Sequence, residues 1–187
     1  MRNLAQSGRH DKLNIEANNG RRVGNNWMIE LARRAGEVLL QRGWTVGTAE
    51  SCTGGLIAAW LTEVPGCSAY VLGGIVAYSN AVKHAVLGVR ESTLETFGAV
   101  SEETAAEMAT GARNVLSTTV AVSVTGIAGP GGGTPGKPVG LTFIGLAGPN
   151  GTVGVERHMW PGDRAAVREA STRRALEMIL EFAAGGE

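Results

Sequence analysis

Apolar residues recur along this chain with two periods, and the switches between them mark its elements. From Trp27 the positions Met28, Leu31, Ala32, Ala35, Val38 and Leu39 repeat at helical spacing, and Gly43 supplies a stop. Trp44 to Ala49 is β-rich. Ser51, Thr53 and two glycines then lead into a helical run, Leu56 to Glu63, which Pro65-Gly66 ends. Tyr70 to Tyr78 is strand-like again, and Ser79-Asn80 offers cap residues for a short helix that carries Lys83 and closes at Gly88. Ser101 caps a helix to about Leu116 whose apolar stripe is Ala105, Met108, Ala109 and Ala112. Val120 to Val124 reads as a buried strand, followed by a Gly/Pro loop, Thr125 to Pro138. Two more strand-like runs, Val139 to Ala147 and Val153 to Trp160, flank a hairpin turn at Gly148-Pro149-Asn150-Gly151. A last helix runs from Gly162 or Asp163 to about Ala183, with a clean apolar stripe only from Leu176 onward. Strands alternating with helices, plus one hairpin, predict a three-layer α/β fold with a mixed sheet.

Residues 1–26 lack an apolar period and read as a mobile tail, leaving residues 27–187 as one domain. Lys plus Arg and Asp plus Glu number 17 each. That balance offers no electrostatic attraction to a nucleic acid backbone or an anionic membrane. Apolar runs such as Leu56 to Leu61 are far too short to span a bilayer, so a cytoplasmic protein is expected. Cys52 and Cys67 are the only cysteines, and His10, His84 and His158 fall in different elements. Neither set has disulfide or metal-ligand spacing, so no metal is expected.

Three places can carry chemistry. Ser51 leaves a strand directly before a helix whose first residues, Thr53, Gly54 and Gly55, are small. Such a junction exposes a hydroxyl and free amides, which can cradle a phosphate or an oxyanion, or can amount to a plain helix cap. Lys83 is one of three lysines, with Lys12 and Lys137, against 14 arginines. In the first turn of a helix the dipole disfavours its charge, and a neutral amine beside a serine can take the hydroxyl proton; a solvated surface lysine is the plain alternative. Tyr78 can relay that proton, orient the amine, or pack. The segment Thr125, Gly126, Ile127, Ala128 and Gly129 follows a buried strand, where backbone can approach a ligand closely, while Gly131 to Lys137 reads as a flexible surface loop. Arg164 and Arg168 lie one turn apart and can clamp a phosphate or form surface ion pairs.

These pieces together resemble the C-terminal domain of the competence/damage-inducible protein CinA family. The residues that carry the likeness are Thr48-Ala49-Glu50-Ser51-Cys52-Thr53-Gly54-Gly55, Tyr78-Ser79-Asn80 with Lys83, Gly98-Ala99-Val100-Ser101, Thr125-Gly126-Ile127-Ala128-Gly129-Pro130 and Gly162-Asp163-Arg164. They span about Trp27 to Ala183. The resemblance implies a three-layer α/β/α sandwich with a mixed, mostly parallel sheet, a homo-oligomer, and no cofactor. It also implies cleavage of the carboxamide of nicotinamide mononucleotide to nicotinate mononucleotide and ammonia, in pyridine-nucleotide recycling. On that reading Ser51 is the nucleophile and Lys83 its base, with Tyr78 beside them. Thr53 to Gly55, Thr125 to Gly129 and Arg164 bind substrate. Ser51 Oγ and Lys83 Nζ are then expected within about 2.6–3.2 Å. A non-catalytic, regulatory nucleotide-binding module of the same fold is the alternative. Full-length members carry a further N-terminal domain without counterpart here, so activities that depend on it, such as ADP-ribose pyrophosphate cleavage, are not expected.

Overall fold

A computed structural model describes residues 26–185. The expectation of a mobile tail falls almost wholly outside them, since only Asn26, the first residue of a helix, is described.

Five strands form one sheet in the order β2-β1-β3-β4-β5. They are β1 (Val46–Glu50), β2 (Val71–Val76), β3 (Val120–Gly126), β4 (Leu141–Ala147) and β5 (Val153–Met159). β1 pairs in parallel with both β2 and β3, while β3-β4 and β4-β5 are antiparallel. The parallel part arises because each connection from β1 to β2 and from β2 to β3 passes through helices, whereas β4 and β5 are joined by the short Pro149–Gly151 turn. The sheet is therefore mixed, as the pattern of the sequence predicts.

One face carries α1 (Asn26–Arg42), α2 (Leu56–Thr62) and the final helix α6 (Arg164–Ala184). Leu39, Val46, Ile57, Val122, Ile144 and Leu176 form the core of that layer. The other face carries α3 (Asn80–Leu87), α4 (Glu91–Thr96) and α5 (Glu102–Val115), packed through Ala49, Leu87, Met108, Ala112 and Ala121. Successive residues of β3 face alternate layers: Val120, Val122 and Val124 join the first core, and Ser123 Oγ donates to the Ala105 carbonyl of α5 at 2.6 Å. All five residues of β1 are buried, as befits a central strand covered on both faces. Gly111 lets α5 cross the end of α3, for a Cβ there would stand 1.9 Å from the Leu87 carbonyl oxygen. That crossing holds the helix that bears Lys83.

Two elements differ from the periodicity reading. α4 is a single short helix whose apolar signal is one residue, Leu94, and it is held from outside: the Arg90 amide and the Thr93 hydroxyl both donate to Glu107 at 2.8 Å. In α6 the buried stripe begins well before Leu176, through Val167, Ser171, Thr172 and Ala175. Small and hydroxylic residues conceal it from an apolar count, because Ser171 and Thr172 satisfy their hydroxyls on the Val167 and Arg168 carbonyls one turn back. The Gly131 to Lys137 loop is exposed for most of its length, but Lys137 Nζ reaches the Phe97 carbonyl.

Candidate active site

The C-terminal end of β1 delivers Glu50 and then Ser51. The Ser51 amide donates to the Val124 carbonyl at 2.9 Å, which fixes it between β1 and β3 at the carboxyl ends of the parallel strands. The chain then reverses through Gly54 (φ 62°) and Gly55 (φ 95°), left-handed positions that suit glycine, and enters α2. Glu50 is fully buried. Its carboxylate folds back beneath the turn and accepts from the amides of Gly55 (2.9 Å), Ile57 (3.1 Å) and Ala58 (2.9 Å) and from the Thr48 hydroxyl (3.2 Å). The start of α2 therefore already holds an anion, supplied by the chain itself. The Gly54 amide is committed too, donating to the Ser51 carbonyl at 3.1 Å. Gly54 and Gly55 thus do not offer their amides to a ligand, contrary to the sequence reading. Within the turn the amides of Cys52, Thr53 and Leu56 are left without an acceptor among the described residues, and those of Cys52 and Thr53 directly follow Ser51. Thr53 is fully buried and its Oγ1 has no partner among them either.

Lys83 meets this turn from the opposite layer. Ser79 caps α3 by accepting from the Val82 amide, and Lys83 occupies the first turn with only 1% of its surface exposed. Nζ lies 3.1 Å from Ser51 Oγ, 2.8 Å from the Ala77 carbonyl and 3.2 Å from that of Tyr78. Burial lowers the lysine below its ordinary pKa. The two carbonyls decide the orientation of the amine. A neutral amine has two N–H bonds, and with one given to each carbonyl its lone pair is left for the Ser51 hydroxyl. Protonation then turns the third direction into a donor to the same oxygen, so all three contacts persist in both states. This is the arrangement a serine nucleophile and lysine base require.

Tyr78 enters differently from the expectation. Its main-chain carbonyl holds Lys83, whereas its side chain is 62% exposed and its hydroxyl makes no hydrogen bond among the described residues. β2 ends at Val76 rather than Tyr78 because the carbonyls of Ala77 and Tyr78 turn toward the lysine instead of a strand partner. The glycine-rich segment divides in two. Thr125 and Gly126 remain strand, paired with Phe143 and Thr142, and Ile127 continues that pairing through its amide to Leu141. Thr125 Oγ1 is occupied by the Ala99 carbonyl at 2.6 Å. Ala128 is the first residue of the segment to line a cleft of about 490 Å³, shared with Pro130, Val139, Gly162, Arg164 and Arg168. Gly129 points its carbonyl at Arg164, whose guanidinium donates to it at 3.1 Å.

Arg168 is the residue that sequence reasoning mistook. Rather than forming a pair with Arg164, it reaches the Ser51 turn, with Nε 3.1 Å from the Cys52 carbonyl and a terminal nitrogen 2.8 Å from that of Thr53. Its position between the buried Val167 and Ser171 is a sign of an inward-facing arginine, visible once the stripe of α6 is known. Burial pushes the Cys52 thiol up to about 11, so the cysteine beside Ser51 stays protonated near neutral pH. A larger cavity, about 580 Å³, lies between Trp44, Leu146, Val153, Met178 and Phe182 at the opposite strand ends, remote from Ser51. Among the described residues no His, Cys, Asp and Glu cluster could hold a metal ion, and no helix is long and apolar enough to cross a membrane.

A model of the CinA C-terminal domain matches residues 28–183. The chain belongs to that family. Within it, a CinA-like protein of Leptospira borgpetersenii is 50% identical over 144 residues, 77% of this chain but 34% of its own length, so this CinA domain spans about a third of that relative. A protein of Enterobacter agglomerans named nicotinamide-nucleotide amidohydrolase PncC is 52% identical over 151 residues, 81% of this chain and 92% of the relative. Among solved structures, a competence/damage-inducible protein from Agrobacterium tumefaciens superposes with a TM-score of 0.80 at 49% identity, covering 82% of this chain and 93% of that one. One from Klebsiella pneumoniae gives 0.82 at 35% identity, covering 86% and 99%. The CinA domain is thus an α/β fold shared with these structures.

Proposed function

We propose that this CinA domain hydrolyses the carboxamide of nicotinamide mononucleotide, releasing ammonia and nicotinate mononucleotide. The reaction class rests on the placement of Lys83 Nζ, held by two carbonyls with its remaining direction on Ser51 Oγ. The substrate rests on the similarity to the Enterobacter agglomerans amidohydrolase, which extends over nearly all of that protein.

Neutral Lys83 takes the Ser51 proton as Oγ attacks the carboxamide carbon, and the carbonyl oxygen becomes an oxyanion. The Cys52 and Thr53 amides receive that charge, since those of Gly54 and Gly55 are already engaged. The Lys83 ammonium then protonates the departing nitrogen, which leaves as ammonia and restores the neutral amine. A water molecule, deprotonated by the same lysine, attacks the resulting ester, and Ser51 recovers its proton as nicotinate mononucleotide leaves. Arg164, on the cleft beside the turn, takes the 5′-phosphate, which separates a nucleotide from free nicotinamide.

Incubation of the protein with nicotinamide mononucleotide, with ammonia followed by a coupled assay, tests this. The parent should release ammonia, and Ser51→Ala should lower the rate by about 10³-fold or more. Binding of the mononucleotide with no ammonia released would instead favour a regulatory module.

A further inference from the structure

The turn at Ser51 is wired to one distant charge. Each peptide unit links the carbonyl of one residue to the amide of the next, so drawing electron density toward the carbonyl oxygen makes the amide a stronger donor. Arg168 Nε donates to the Cys52 carbonyl, whose peptide ends in the Thr53 amide. The other arm is longer. A terminal nitrogen of Arg168 donates to the Thr53 carbonyl, that peptide's Gly54 amide donates to the Ser51 carbonyl, and the Ser51 peptide ends in the Cys52 amide. Two short chains of peptide dipoles therefore start on one guanidinium and end at the Cys52 and Thr53 amides, neither of which has an acceptor among the described residues.

We infer that Arg168 is a positioning residue for the reaction, holding and polarising the Cys52 and Thr53 amides as the oxyanion site. The inference rests on the Ser51 nucleophile proposed above. Arginine suits the task because its planar fork reaches two carbonyls at fixed separation and keeps its charge at every working pH. Lysine would reach one carbonyl at a time. A donor that acts only once negative charge has developed changes kcat and leaves substrate affinity alone.

The test compares Arg168→Met and Arg168→Lys with the parent, with circular dichroism and thermal unfolding to verify the fold. The first readout is ammonia release from nicotinamide mononucleotide. Arg168→Met should lower kcat by about tenfold to a hundredfold, with KM within about threefold and the midpoint of the pH profile unmoved, because Lys83 is untouched. Arg168→Lys should fall between it and the parent. The second readout does not depend on the substrate: the rate at which a fluorophosphonate labels Ser51, followed by intact mass. In that reaction an Oγ–P bond forms, fluoride leaves, the Ser51 proton passes to Lys83, and the phosphoryl oxygen takes the oxyanion's place. Labelling should slow in parallel with kcat. A parent that labels at Ser51 but releases no ammonia would remove the proposed substrate and leave Arg168 tested by labelling alone. Folded Arg168→Met with kcat and labelling within about threefold of the parent would overturn the inference, as would a raised KM at unchanged kcat. A parent unreactive in both assays would overturn it together with the nucleophile.

Discussion

Replacing Glu50 with glutamine keeps the side chain's shape and removes its charge, and the structure allows the loss to be worked out. The less damaging orientation places the new NH2 group where Oε1 stands. There the Thr48 hydroxyl can rotate to accept, but the Ala58 amide, now 2.9 Å from its acceptor, loses it. The Gly55 and Ile57 amides keep a partner that is neutral rather than charged. An amide stripped of its acceptor costs about 1–3 kcal/mol, and two charge-assisted bonds reduced to neutral ones lose about 1 kcal/mol each. Glu50→Gln should therefore lower stability by about 3–5 kcal/mol, equivalent to roughly 6–20 °C in Tm for a domain of this size. Guanidinium denaturation read by tryptophan fluorescence measures it well, because Trp60 lies on α2, the helix that Glu50 anchors. A loss below about 1 kcal/mol would refute the view that this carboxylate closes the start of α2.

Two further outcomes follow from the same geometry. Burial lowers the Lys83 pKa, and in the proposed mechanism the neutral amine is the reactive form, so kcat should rise with pH through a midpoint below the ordinary lysine value. The unfolded chain, with the higher lysine pKa, binds more protons between the two values, so stability should rise with pH across that window as well. Lys83→Met should abolish both dependences; a rate profile flat over the range from about pH 6 to 10 would contradict the role given to the lysine. On the proposed reading Arg164→Ala removes a charge-assisted phosphate contact worth about 1.5–3 kcal/mol and should raise KM by roughly tenfold to a hundredfold with little change in kcat, in contrast to Arg168; initial rates over a range of mononucleotide concentrations distinguish the two.

The strands and long helices were legible because each buries a periodic apolar face; a rare lysine at a helix start made the nearness of Ser51 and Lys83 one of two readings, and the family resemblance selected it. Glu50 and Arg168 were not legible for a common reason. Both act on backbone groups, and backbone partners leave no mark in a sequence. A carboxylate at a strand end and an arginine one turn from another look like ordinary surface charges until the chain is folded. Tyr78 failed in the opposite sense, since its residue type suggested phenol chemistry while its carbonyl alone touches Lys83.

The contact between Arg168 and Cys52 joins residues 116 apart in the chain, and α6 docks against α1, the first described helix. Such pairings of high sequence separation must close a long loop before they repay it, and both need the C-terminal helix to be present. A chain still emerging from the ribosome thus carries its serine and its lysine long before the helix that steadies the serine has been made. α1 and α6 close their layer together, and the Ser51 turn takes its described form only once α6 has docked.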